Sequence, residues 1–238
     1  MIKINSMKKI ISCIVLVSLF ISCSSEKNGS LIVNGKIDGL KKGTLYLQKY
    51  KDTLLVSVDS IQLNGISTFR LVDEIESPEI YFISLDKKGN EKISFFGEKG
   101  EITVNSKLSK FEISAKISGS KNQELLEEHT DMVRKFNGKQ MDFIKDKFDA
   151  QKNNDTDLLS KIKKDEKNLI KRKYYFSTNF AVNNSKFEVA PYIALTELYY
   201  ANVKLLDTIN NSLSKEVKAS KYGLELEKFI EDIKKKDN

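Results

Sequence analysis

From Leu31 to Ser118 apolar and polar residues mostly alternate, and turn residues recur at short intervals. That is the period-two pattern of half-buried strands. Leu31, Val33 and Ile37 alternate before Asp38-Gly39, and Leu45 and Leu47 share one face of the next run. A longer strand or pair of strands spans Leu54 to Leu63 and meets Asn64-Gly65, a strong hairpin signal. Glu79 to Leu85 and Glu91 to Phe96 are each followed by a Gly-containing turn. Ile102 and Val104, then Phe111, Ile113, Ala115 and Ile117, close the series. Short strands with short connections predict an antiparallel β-sandwich or a partly open barrel over 31–118.

The period changes after Ser118-Gly119-Ser120. Ser120 with Gln123, and later Ser185 with Glu188, have the spacing of capping boxes. Leu125, Leu126, His129, Met132, Val133 and Phe136 recur at three- and four-residue steps; Gly138 is a candidate break in this helix, with Met141, Phe143, Ile144 and Phe148 as its continuation. Gln151 to Asp155 is a polar break, and a second helix carries Leu158, Ile162, Leu169 and Phe176. Further helical segments follow around Ile193, Ile209 and Leu226. The expectation is an α+β chain, with a helical domain of four to five helices over 119–238.

Residues 1–22 change the picture of where such a chain works. Lys3, Lys8 and Lys9 precede a short apolar run from Ile10 to Ile21, then Phe20-Ile21-Ser22-Cys23. About a dozen apolar residues fall short of the ~20 that span a bilayer, so the run reads as a signal peptide. The tetrapeptide looks like a lipobox, which makes Cys23 the lipidation site and 23–30 a polar, Gly/Ser-containing tether. A triacylated cysteine supplies the multiple chains that stable anchoring requires. The expected location is the cell envelope, lipid-anchored, with the outer membrane preferred over the inner.

Composition then narrows the chemistry. Lys and Arg outnumber Asp and Glu by 40 to 33, and there are one His, two Cys and no Trp. Removing residues 1–22 takes away three lysines, no acid and Cys13. With Cys23 acylated, no free thiol remains. No Cys-x-x-Cys motif, catalytic triad, phosphate loop or dinucleotide fingerprint is present, so neither metal nor cofactor is expected, and an enzyme is not. His129 sits on an apolar stripe and reads as a packed histidine. Asp73-Glu74-Glu76 reads as a solvated loop before Pro78, and Asp59-Ser60 as a turn cap. The seven basic residues between Lys161 and Lys173 read as a solvated helix face, with weak attraction to anionic lipid as the lesser reading and no nucleic-acid role. Asp52-Thr53-Leu54, Asp59-Ser60-Ile61 and Asp207-Thr208-Ile209 resemble an envelope O-glycosylation signal.

Several short motifs carry a family resemblance. Asn34-Gly35-Lys36-Ile37, Gly43-Thr44-Leu45-Tyr46-Leu47, Val58-Asp59-Ser60 and Asn64-Gly65 with Phe69 resemble the domain of unknown function that opens many Gram-negative thioredoxin-like lipoproteins of the thiol-disulfide oxidoreductase type. Ala190-Pro191-Tyr192 and Ser220-Lys221-Tyr222-Gly223 resemble the helical spacer of those proteins. The thioredoxin domain that usually follows is absent from this sequence, so no catalytic residue carries over. Two functions are expected in this order. The first is a non-catalytic envelope lipoprotein presenting a binding or assembly module. The second is an accessory or truncated member of a thioredoxin-like system acting with a thioredoxin-domain partner. The sequence leaves the oligomeric state open.

Overall fold

The computed structural model describes residues 27–236; the signal segment and Cys23 lie outside them. Eight strands come first: β1 (Leu31–Asp38), β2 (Lys42–Lys51), β3 (Leu54–Asn64), β4 (Thr68–Asp73), β5 (Glu79–Ser84), β6 (Lys92–Gly97), β7 (Gly100–Lys107) and β8 (Lys116–Ser118). They form two four-stranded sheets, ordered β4-β1-β7-β8 and β3-β2-β5-β6. Leu31, Val33, Leu45, Leu47, Ile83, Ile93, Phe95, Ile102 and Val104 are buried in one cluster. Their period-two spacing turns every second residue of each strand inward.

The sandwich is not wholly antiparallel, as the alternation suggested. β1 pairs with β7 in parallel, from Leu31↔Gly100 to Asp38↔Lys107. Alternation reports which face is buried and says nothing about the direction of a neighbour some 70 positions away. Asn64-Gly65 does turn, with Gly65 at φ +91°. It joins two different sheets, however, and is no hairpin within one. The strand expected over Phe111 to Ile117 shortens to β8. Its first part is a turn in which Ser114 Oγ donates to the Lys110 carbonyl at 2.8 Å, a local bond that competes with strand pairing.

Six helices follow: α1 (Lys121–Lys152), α2 (Thr156–Asn183), α3 (Val189–Glu197), α4 (Val203–Ser212), α5 (Lys215–Lys218) and α6 (Lys221–Lys236). The single turn α5, capped by Ser214 Oγ, takes the count past the four to five expected. α1 runs unbroken through Gly138 for 32 residues, about 48 Å. Asp155 caps α2 by accepting from the Leu158 N–H.

Neither expected capping box forms as a reciprocal pair. Ser120 Oγ does accept from the Gln123 N–H at 3.1 Å. The Gln123 side chain, though, accepts from the Phe96 N–H of β6 at 2.8 Å instead of reaching back. Ser185 caps nothing; the Val189 N–H that opens α3 donates to Asn122 Oδ1 at 2.8 Å. In both places a tertiary partner displaces the local one.

Candidate functional site

The two halves meet at one end of the sandwich. Tyr222 on α6 accepts from the Ile80 N–H at 3.0 Å, and the Lys221 N–H donates to Ser77 Oγ at 3.1 Å. Phe96, Tyr192 and Tyr222 pack edge-on or tilted, with centroids 5.1 to 6.0 Å apart. Glu98 receives the Lys121 N–H and the Asn122 amide at 2.6 and 2.7 Å. Ala190-Pro191-Tyr192 and Ser220-Lys221-Tyr222-Gly223 are thus parts of the junction. Gly223 has its own reason there, since a Cβ would stand 2.0 Å from the Val217 carbonyl oxygen.

A charged network crosses the same end. Lys49 lies 2.8 Å from Asp73 and 3.3 Å from Glu79, and donates to Tyr81 Oη at 3.0 Å. Tyr81 in turn donates to Asp73 at 2.6 Å, and Lys221 pairs with the second oxygen of Glu79. Burial works against the Lys49 ammonium, but Asp73 and Glu79 outweigh it and hold its pKa above the usual lysine value. Burial first, then the bond to Asp73, pushes the Tyr81 phenol far upward. The two cations balance the two carboxylates, and neither Lys49 nor Tyr81 gives up its proton near neutrality. Lys49 and Tyr81 therefore serve this group as fixed donors that tie β2, β4 and β5 together.

Asp73 is therefore no loop carboxylate, and the strand pattern already held the clue. Lys49 has the same parity as the inward Leu45 and Leu47, and Glu79 the same as Tyr81 and Ile83. Asp59 is likewise not in a turn. It sits within β3, pairs with Lys27, and accepts from the Val72 N–H of β4 at 3.0 Å, tying the two sheets together.

His129 is packed, as its stripe predicts. It is 1% exposed, bonds Ser177 Oγ through Nε2 at 2.9 Å and stacks on Phe176 at 5.6 Å. Burial lowers its pKa to about 4. The unfolded chain, with a His pKa near 6.5, therefore binds a proton that the folded chain refuses. Stability is complete above about pH 6.5 and falls as pH drops toward 4, by about 3 kcal/mol. Urea denaturation at pH 7 and pH 4.5 checks this, because His129→Phe should remove that part of the slope; an unchanged slope would refute it. Among the described residues no group of three or more His, Cys, Asp or Glu is placed to hold a metal ion.

What remains open is the seam on the side of β6 and β8. β6 ends one sheet and β8 the other, and a cleft of about 720 Å³ lies between them and α1. Backbone N–H groups alternate in direction along a strand. The Phe96 N–H points away from β5 into Gln123, so the Ser94 N–H, two residues back, also faces outward into the cleft. Gln123 occupies the last rung of this edge, and among the described residues no strand covers the rung at Ser94. One wall is the turn before β8, where Ile113 is 88% exposed; the other is α1, with Leu126, Glu127, Thr130 and Asp131. The sequence did not announce this site, because its three walls are remote in the chain and its central feature is main chain.

The fold defines a class: a two-sheet β domain with a helical region docked on one end. Residues 31–126 match a family model described as a domain of unknown function (DUF4369). The matched stretch continues past the strands into α1 and includes Asn122 and Gln123. No curated protein and no solved structure matches the chain.

Proposed function

We propose that the protein is a non-catalytic envelope lipoprotein, anchored through acylated Cys23, that works by binding an extended polypeptide segment along β6. The uncovered main-chain edge at Ser94 carries this reading. An unpaired strand edge supplies a row of donors and acceptors that another strand satisfies, with the flanking walls selecting side chains. The cleft volume falls in the range of ligand-binding sites. Its lining holds Glu112, Glu127 and Asp131 against Lys116 and Arg134, an acidic balance in a basic chain, which suits a segment bearing apolar and basic residues in alternation.

Ser94→Pro tests the proposal. Proline removes the outward N–H and is tolerated on a strand edge, so stability should change by under about 1 kcal/mol while segment binding is lost. Photocrosslinking from Ile113 should capture the bound chain in the parent and not in the variant. Capture that persists in Ser94→Pro would defeat the β6 edge as the site. A crosslinked thioredoxin-domain protein would assign the accessory role, and any other envelope polypeptide would assign the stand-alone module.

A further inference from the structure

The second half of α2 separates two open clefts, each of about 630 Å³. The one against α4 is lined by Lys167, Ile170, Lys171, Tyr174, Tyr175 and Lys204 among others, with no carboxylate in its lining. The one against α1 adds Lys139 and Arg172 to Lys171, facing the single acid Asp165. Some other cations on these helices do have partners: Lys173 pairs with Glu197 at 3.1 Å and Lys147 with Glu166 at 3.4 Å. Among the described residues Lys139, Lys167, Lys171, Arg172 and Lys204 enter no salt bridge. Lys167 and Lys171 stand one helical turn apart, where like charges repel.

The chemistry between the cations is apolar and aromatic. Ile170 and Tyr175 are 42% and 49% exposed, and Lys171 Nζ lies 5.7 Å from the Tyr175 ring centre. The segment between α3 and α4 that leads into the first cleft carries Tyr200, 87% exposed. Lysine stems and tyrosine rings combine an apolar body with a polar end, the combination that partitions to the headgroup level of a bilayer. A purely acidic protein surface would answer the charge and leave Ile170, Tyr175 and Tyr200 without a counterpart.

We infer that this face of α2 and α4 rests on an anionic lipid surface, with Lys167, Lys171 and Lys204 meeting phosphates and Tyr175 and Tyr200 entering the headgroup layer. The contact is separate from the peptide cleft at β6, and it does not depend on acylation of Cys23. The chain contains no Trp, so Tyr200→Trp in the full chain places a single tryptophan, excited selectively over the tyrosines, at the contact. On vesicles of phosphatidylcholine with phosphatidylglycerol its emission should shift to the blue and be quenched by brominated lipid. On phosphatidylcholine alone both changes should be small.

Each lysine near an anionic surface contributes enough that replacing three should weaken binding on the order of a hundredfold. The comparison is Lys167→Gln, Lys171→Gln, Lys204→Gln in the same Tyr200→Trp chain, whose residues 1–26 are identical. The inference is overturned if brominated lipid leaves the emission unquenched, or if the triple variant binds as well as its parent. It is overturned equally if poly-glutamate shifts the emission while anionic vesicles do not, which would assign the face to an acidic polypeptide.

Discussion

Replacing Glu79 by alanine should lower unfolding stability by about 3 kcal/mol. Its side chain is 10% exposed and pairs with Lys49 from β2 on one oxygen and Lys221 from α6 on the other. Removing it leaves one ammonium with Asp73 and the Tyr81 hydroxyl, and the other with the Tyr50 carbonyl. Breaking a buried pair costs about 3–5 kcal/mol because the surviving charge stays desolvated. The lower end applies here, since Lys49 and Lys221 are 20% and 32% exposed. Denaturant unfolding of the full chain measures the loss, and a double-mutant cycle with Lys221→Met separates the part that belongs to the junction. A loss under about 1 kcal/mol would show that the aromatic contacts of Phe96, Tyr192 and Tyr222 hold the halves together without the charges.

Gly35→Ala should be as damaging for a steric reason. A Cβ at position 35 would stand 1.8 Å from the Val104 carbonyl oxygen and 2.8 Å from Phe69 Cζ. Neither can move cheaply, because Val104 is the parallel partner of Gly35 across β1 and β7 and Phe69 belongs to the buried cluster. Overpacking of this kind costs about 1–3 kcal/mol. The backbone collision places the variant at the upper end, with loss of folding near body temperature as the extreme outcome. Gly138→Ala is the matched control. Nothing lies within 4 Å of a Cβ there, and alanine in a helix interior gains about 0.8–1 kcal/mol over glycine. Thermal melts of the two variants should move in opposite directions. A Gly35→Ala melt within a degree or two of the parent would mean that the parallel pair is not held as described.

Much of the architecture was legible because its causes are local. Leu45 and Leu47, or Ile102 and Val104, must turn the same way once a strand forms, and the stripe from Leu125 through His129 to Val133 must share one helix side. His129 could be read as packed from that stripe alone. Asp73 could not be read correctly from its acidic neighbours Glu74 and Glu76. Its partner Lys49 lies two strands away in the chain, and only the shared inward parity of Lys49 and Glu79 hinted at a buried pair. The seam was harder still. The donor that defines it is the amide of Ser94, which looks like every other amide in a sequence, and it is open because among the described residues no strand pairs with β6 on that side.

By itself the sequence determined periods and punctuation: period-two strands to Ser118, helical repeats from Lys121, and breaks at Asn153-Asn154 and Asn183-Asn184. These depend on interactions within a few residues. Tertiary structure decided the direction of β7 beside β1 and the sheet change at Gly65. It also decided the use of Gln123 and Asn122 as clamps and the closing of Lys49, Asp73, Glu79 and Lys221 into one network. Each of these depends on which distant groups meet after the apolar faces are buried, and a buried donor takes the acceptor it can reach in space whatever their separation along the chain.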